Sequence, residues 1–181
     1  DPASLAHKAL QVNLSDIAAM GGKPQFVLLG LSIPPSYEGQ LQTFLETFTN
    51  CCKEAEVLLI GGDTTRSPDK LFISVTVIGV GENKNIKSRY KATVNDRICV
   101  VGSLGHAHLG LCAFENTRNN FESFKNSFLK PSARLQEGFW LAQQQGVTAM
   151  MDISDGLFID LKRLCEAAAV GAEIYLDNFP V

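Results

Sequence analysis

No stretch of this sequence stays apolar for the roughly 20 residues that a membrane-spanning helix needs, so it encodes no helical membrane span. An excess of basic charge is lacking too. Sixteen Lys and Arg stand against 19 Asp and Glu, a net charge of −3, which gives no electrostatic basis for binding nucleic acid or an anionic membrane. Five cysteines (Cys51, Cys52, Cys99, Cys112 and Cys165) include no C-x-x-C pair of the zinc-binding kind, and their number is odd. A reduced, cytoplasmic setting is the simplest expectation. There is no G-x-x-x-x-G-K-[ST] segment and no H-R-D with D-F-G, which excludes a standard P-loop protein and a protein kinase. Internal repeats, low-complexity tracts and a signal peptide are also missing. Because Asp1 is an odd place for a native chain to begin and a new segment starts just before Val181, the chain is expected to be truncated at both ends.

What is present suits one large or two small domains: 181 residues, 45% of them hydrophobic, enough to bury a sizeable core. Asp1-Pro2 opens a helix whose apolar residues recur at helical spacing as far as Met20, before Gly21-Gly22 and Pro24 stop it. A buried strand is predicted over 25–33, an amphipathic helix over 37–56 with Leu41, Phe44, Leu45 and Phe48 on one face, a strand over 57–60, and an alternating strand over 71–80. Residues 82–96 are polar without an apolar period and read as a linker. Beyond it come a strand over 98–101, a helix over 106–114, an irregular polar stretch over 117–125, a helix over 132–145 capped by Ser132, a strand over 149–153, a helix over 154–168 and a strand over 173–177. The pattern predicts an N-terminal unit over 1–81 and a C-terminal α/β unit over 97–181.

Three acidic motifs fall at the ends of these elements. Asn13-Leu14-Ser15-Asp16 closes the first helix. A carboxylate in a last turn faces the negative end of the helix dipole at a cost of about 0.3–1 kcal/mol, which a bound cation would reverse; a solvated aspartate is the plain alternative. Gly61-Gly62-Asp63-Thr64-Thr65 follows a buried strand and offers hard oxygens of the kind magnesium prefers, or else forms a simple Gly-Asp turn. Asp152-Ile153-Ser154-Asp155-Gly156 precedes a helix. Capping by Ser154 or Asp152 explains one oxygen there but not two carboxylates around one serine. Carboxylates that converge repel unless cations lie between them, so the set points to a nucleotide site with several magnesium ions. Arg89, in the linker, carries a fork that matches phosphate oxygens, although a solvated charge is equally ordinary there. His106 and His108 are two residues apart on a helix and point away from one another, which argues against a metal site.

These segments resemble a known family. NLSDIAAMG (residues 13–21), GGDTTRS (61–67) and DISDGLFIDL (152–161) are similar, in order and spacing, to signature segments of the thiamine-monophosphate kinases. So are Arg89 ahead of the second unit and Asp96 followed by a strand ending at Gly102. The family belongs to the superfamily of aminoimidazole ribonucleotide synthetase and selenophosphate synthetase. The resemblance implies a two-domain fold: an N-terminal α+β domain with a mixed sheet that pairs across a homodimer, and a C-terminal α/β domain. It implies transfer of the ATP γ-phosphoryl group to thiamine monophosphate. By position, Asp16, Asp63, Asp152 and Asp155 would hold magnesium ions, and Gly62, Asp63, Arg89 and Ser154 would contact ATP. Thiamine contacts are not assigned. The family's Gly-Asp-Asp and Thr-Thr-Asp stretches are absent, Arg89-Tyr90-Lys91-Ala92 stands where Arg-Ser-Gly-Ala is usual, and His106-Ala107-His108 where small or acidic residues are. Another enzyme of the superfamily, or a non-catalytic maturation scaffold, would share these motifs.

Overall fold

The computed structural model describes residues 1–115, 119–175 and 177. Helix α1 (Pro2–Ala19) begins as its sequence directs: Asp1 accepts hydrogen bonds from the Ser4 amide and from Ser4 Oγ, both at 2.8 Å. It ends in paired bonds that need a left-handed residue, Gly21 N to Ala18 O and Gly22 N to Ile17 O, with Gly21 at φ 72°. Strand β1 (Lys23–Ile33) is the centre of a three-stranded mixed sheet. Helix α2 (Leu41–Glu54) carries the chain across to β2 (Leu58–Arg66), parallel to β1, and β3 (Phe72–Val80) pairs antiparallel on the other side. The residues before α2 form a short 3-10 helix (Pro35–Gln40) rather than its first turns, with Pro35 in a first-turn position where no amide is needed.

One face of the sheet is covered over β1, while every residue of β2 is exposed. Val27, Leu29, Leu31 and Ile33 of β1 meet Leu10 and Leu14 of α1 and Phe44 and Phe48 of α2, whose rings stack with centroids 6.0 Å apart. Burying each of these large side chains contributes about 1.5–3 kcal/mol. The opposite face is bare: Leu28, Leu58, Phe72, Ile78 and Val80 are exposed along it.

The second half differs from its sequence pattern. Helices α3 (His106–Phe114), α4 (Lys125–Leu129), α5 (Leu135–Ala142) and α6 (Leu157–Ala168) form. The strands expected over 98–101 and 149–153 do not: neither carries a ladder, and the described residues of this half contain no strand. A strand needs a hydrogen-bonded partner, and none of the described segments forms a ladder with either. The expected strand over 173–177 is unpaired at 173–175, and Leu176 lies outside the described residues. The polar stretch expected to be irregular forms a 3-10 helix (Asn119–Phe124) and α4, with 117 and 118 outside the described residues. Helix α5 starts at Leu135 and not at Ser132, and the Ala133 amide donates to Gln11 Oε1 at 2.8 Å. Residues 82–96 are held down rather than free: Lys87 N bonds Met20 O at 3.1 Å, Lys87 Nζ bonds Gln144 O at 3.3 Å, and Thr148 donates to Asp96 at 2.6 Å.

Helix α1 joins the two halves. A Cβ on Gly138 would overlap the Ala18 carbonyl, and one on Gly21 would overlap Ala142, so α5 rests directly on the end of α1. Lys8 Nζ sits 3.5 Å from the centre of the Phe128 ring, and His7 Nε2 is 2.8 Å from the Pro131 carbonyl oxygen.

Candidate active site

The junction at the end of α1 brings two of the three acidic motifs together. Ser15 Oγ donates to Asp152 Oδ2 at 3.0 Å across the halves. Asp16, in the last turn of α1, reaches solvent, yet its carboxyl is pushed above its ordinary 3.8 by partial burial and by the nearby charge of Asp152. Among the described residues no Lys or Arg forms a salt bridge with Asp16 or Asp152. Two close carboxylates without a counter-charge suit magnesium, which accepts one or two carboxylates and completes its shell with water and phosphate oxygens. No third acidic, histidine or cysteine side chain joins them in a metal-binding group among the described residues.

Asp63 stands elsewhere. The Gly61–Thr65 segment is not a loop after β2 but part of it, and Asp63 lies opposite Gly30 on the bare face of the sheet. Gly30 is seven residues along β1 from Lys23, roughly 23 Å at about 3.3 Å per residue. Asp63 therefore sits toward the far end of the sheet from the end of α1. Its own hydrogen bond is local, from the Thr64 amide at 2.9 Å. The strand continues through this motif because Gly62 fits closely against β1: a Cβ there would overlap the Leu29 carbonyl. That is a packing reason for a glycine expected to serve a ligand.

The loop before α6 is built by a residue the sequence reading passed over. Neither Ser154 nor Asp152 caps the helix; its N-cap is Gly156 at φ 110°, without a side-chain bond. Asp160, the fourth residue of α6 and only 2% exposed, reaches back instead. Its Oδ2 accepts from the amides of Ser154 and Asp155, each at 2.9 Å, and its Oδ1 accepts from Arg163 Nη1 at 2.9 Å. The same Arg163 nitrogen donates to Asp155 Oδ2 at 2.6 Å. Asp155 thus leans on its own helix, and Ser154 is exposed with its amide engaged. Asp160 stood within the quoted motif, and the available signal was an acid in the first turn of a helix lacking a good N-cap. Arg89 is exposed in a 3-10 turn (Arg89–Lys91) that packs against α6.

Comparison with known proteins agrees with this architecture. The chain is 35% identical over 186 residues to thiamine-monophosphate kinase of Buchnera aphidicola, a match covering 99% of this chain and 56% of that protein. Thiamine-monophosphate kinase from Stenotrophomonas maltophilia superimposes with a TM-score of 0.88 at 34% identity, over 99% of this chain and 58% of that one. AaThiL complexed with AMPPCP and TMP superimposes at 0.84 with 28% identity, over 93% and 54%. The chain spans about half the length of the curated relatives it matches. Residues 1–81 match the AIR synthase related protein N-terminal domain and residues 93–181 its C-terminal domain, so the chain belongs to the AIR synthase related family.

Proposed function

We propose that the protein of which this chain is a part is an ATP-dependent kinase that phosphorylates thiamine monophosphate to thiamine diphosphate. The observation that carries this reading is the meeting of Asp16 and Asp152, joined through Ser15, at the junction of the two halves. Similarity to thiamine-monophosphate kinases over 99% of the chain supports the substrate pair. So does a relative solved with AMPPCP and TMP. Both reactants are anionic, and the acceptor phosphate oxygen is already a nucleophile at neutral pH. The barrier is therefore mostly repulsion and misalignment, and positioning with charge neutralisation lowers it without a general base. Magnesium, when bound, supplies that neutralisation.

The roles proposed for the chain's own residues follow from their chemistry. Asp16 and Asp152 hold one cation between the halves, Asp155 offers a further carboxylate on the same loop as Asp152, and Asp63, toward the other end of the sheet, serves a separate part of the nucleotide site. Ser154, Gly62 and Arg89 lie along the nucleotide, with the Arg89 fork on phosphate oxygens. The bare sheet face takes a second copy of the chain, giving a homodimer, and Asp63 lies on that same face.

A coupled assay of the full-length protein with ATP and thiamine monophosphate, with selenide as a control acceptor, tests the reaction. ADP release that depends on thiamine monophosphate is the expected result. Release dependent on selenide, or ATP binding with no turnover on either, would overturn the substrate assignment.

A further inference from the structure

The loop that carries Asp152, Ser154 and Asp155 is not held by a strand ladder among the described residues. Its segment of chain, 147–156, enters α6 through Gly156 at φ 110°, a conformation that only glycine adopts readily. Ser15 holds the loop at Asp152, and Asp160 holds its end beside α6. A carboxylate this deeply buried is costly unless every oxygen is satisfied, and here each is: Oδ2 by two backbone amides of the loop, Oδ1 by Arg163. Arg163 also ties Asp155, so loop backbone, loop side chain and helix form one closed set of charge-assisted bonds.

We propose that Asp160 is a positioning residue for divalent-cation binding: it sets the loop so that Asp152 faces Asp16 across the junction, although Asp160 itself touches neither cation nor substrate. The inference rests on the functional reading above for the cation, and on the geometry alone for the loop. Groups that orient metal-binding carboxylates from behind typically change metal affinity by 10–100-fold when replaced.

The test is Mn²⁺ binding to the full-length protein, followed by electron paramagnetic resonance, for wild type, Asp160→Asn and Asp160→Glu. Circular dichroism verifies the fold of each. Asp160→Asn places an amide NH2 against Arg163 or against the loop amides. It is expected to weaken Mn²⁺ binding by about 10–100-fold while α6 and the core stay folded. Asp160→Glu keeps the charge but moves the acceptor by one methylene, and is expected to fall between the two. Folded Asp160→Asn protein that binds Mn²⁺ as wild type does would overturn the proposal. Wild-type protein that binds no Mn²⁺, with or without ATP, would instead overturn the functional reading. Amide hydrogen exchange on the wild type needs no variant: Ser154 and Asp155 amides are expected to be protected, and exchange at the rate of an open loop would refute the loop-setting role even if both variants failed to fold.

Discussion

At the scale of single residues, charge placement decides most of the behaviour. Asp16 is held above its ordinary 3.8, first by partial burial and then by Asp152. A carboxyl that is harder to ionise in the folded protein favours folding most when protonated. That contribution is complete below its unfolded value and is lost as pH rises through the raised one. Asp16→Asn should therefore melt about 1–2 °C higher than wild type at pH 7, a small gain because solvent screens the pair, and the difference should vanish near pH 3. Calorimetry across that range checks the sign; a variant less stable than wild type at neutral pH would contradict the repulsion. Asp63→Asn should leave the melting temperature unchanged, since its only described bond is to the adjacent amide, while ATP turnover by the full-length protein falls on the order of 100-fold. Unchanged turnover would remove Asp63 from the catalytic set. Gly62→Ala should act in the opposite way, lowering stability by roughly 3 kcal/mol because the new methyl collides with the Leu29 carbonyl. A denaturant melt measures it.

At the scale of elements, helices were legible in both halves, including those expected over 106–114, 132–145 and 154–168, whereas the strands of the second half were not. Alternation in Phe72–Val80, the Phe44–Phe48 face of α2, and the Asp1 and Gly21 punctuation of α1 are local signals. Each is read by the element's own residues, so the pattern and the fold agree. The segments at 98–101 and 149–153 have strand-like composition, but a ladder depends on a neighbour that composition does not specify. The candidate site was legible as a set of motifs and partly as a place. Helix α1 delivers Asp16 to Asp152, while the run of β2 through Gly61–Thr65 carries Asp63 along the sheet, a consequence of register that no motif records. Asp160 went unread because a cap that reaches back from inside a helix looks, in sequence, like an ordinary surface acid. Helix α2 offers a chemical check on its packing. Cys51 and Cys52 are buried, and burial pushes the Cys52 thiol up to about 11. Both should resist a thiol reagent until the core opens, whereas exposed Cys99 should be modified at once. Mass spectrometry of partially labelled protein distinguishes them, and early labelling of Cys52 would mean that α2 is not seated as described.

At the scale of the whole molecule, the sheet is finished on one side only. Leu28, Leu58, Phe72, Ile78 and Val80 leave an apolar surface of the kind that covers itself by association. Sedimentation at micromolar concentration should show a dimer of the full-length protein, and Ile78→Glu should yield monomers by placing a charge on that face. A monomeric wild type would argue against the homodimer. The two halves meet along α1, most closely at its end. Gly138 lies on the Ala18 carbonyl and Gly21 on the Ala142 methyl, with no room for a further methyl group at either glycine. This joint is close-packed. Because Asp16 is mounted on one side of it and Asp152 on the other, a small turn of the C-terminal half would widen or narrow the gap between two like charges. A cation seated in that gap would tie the two halves together across the joint.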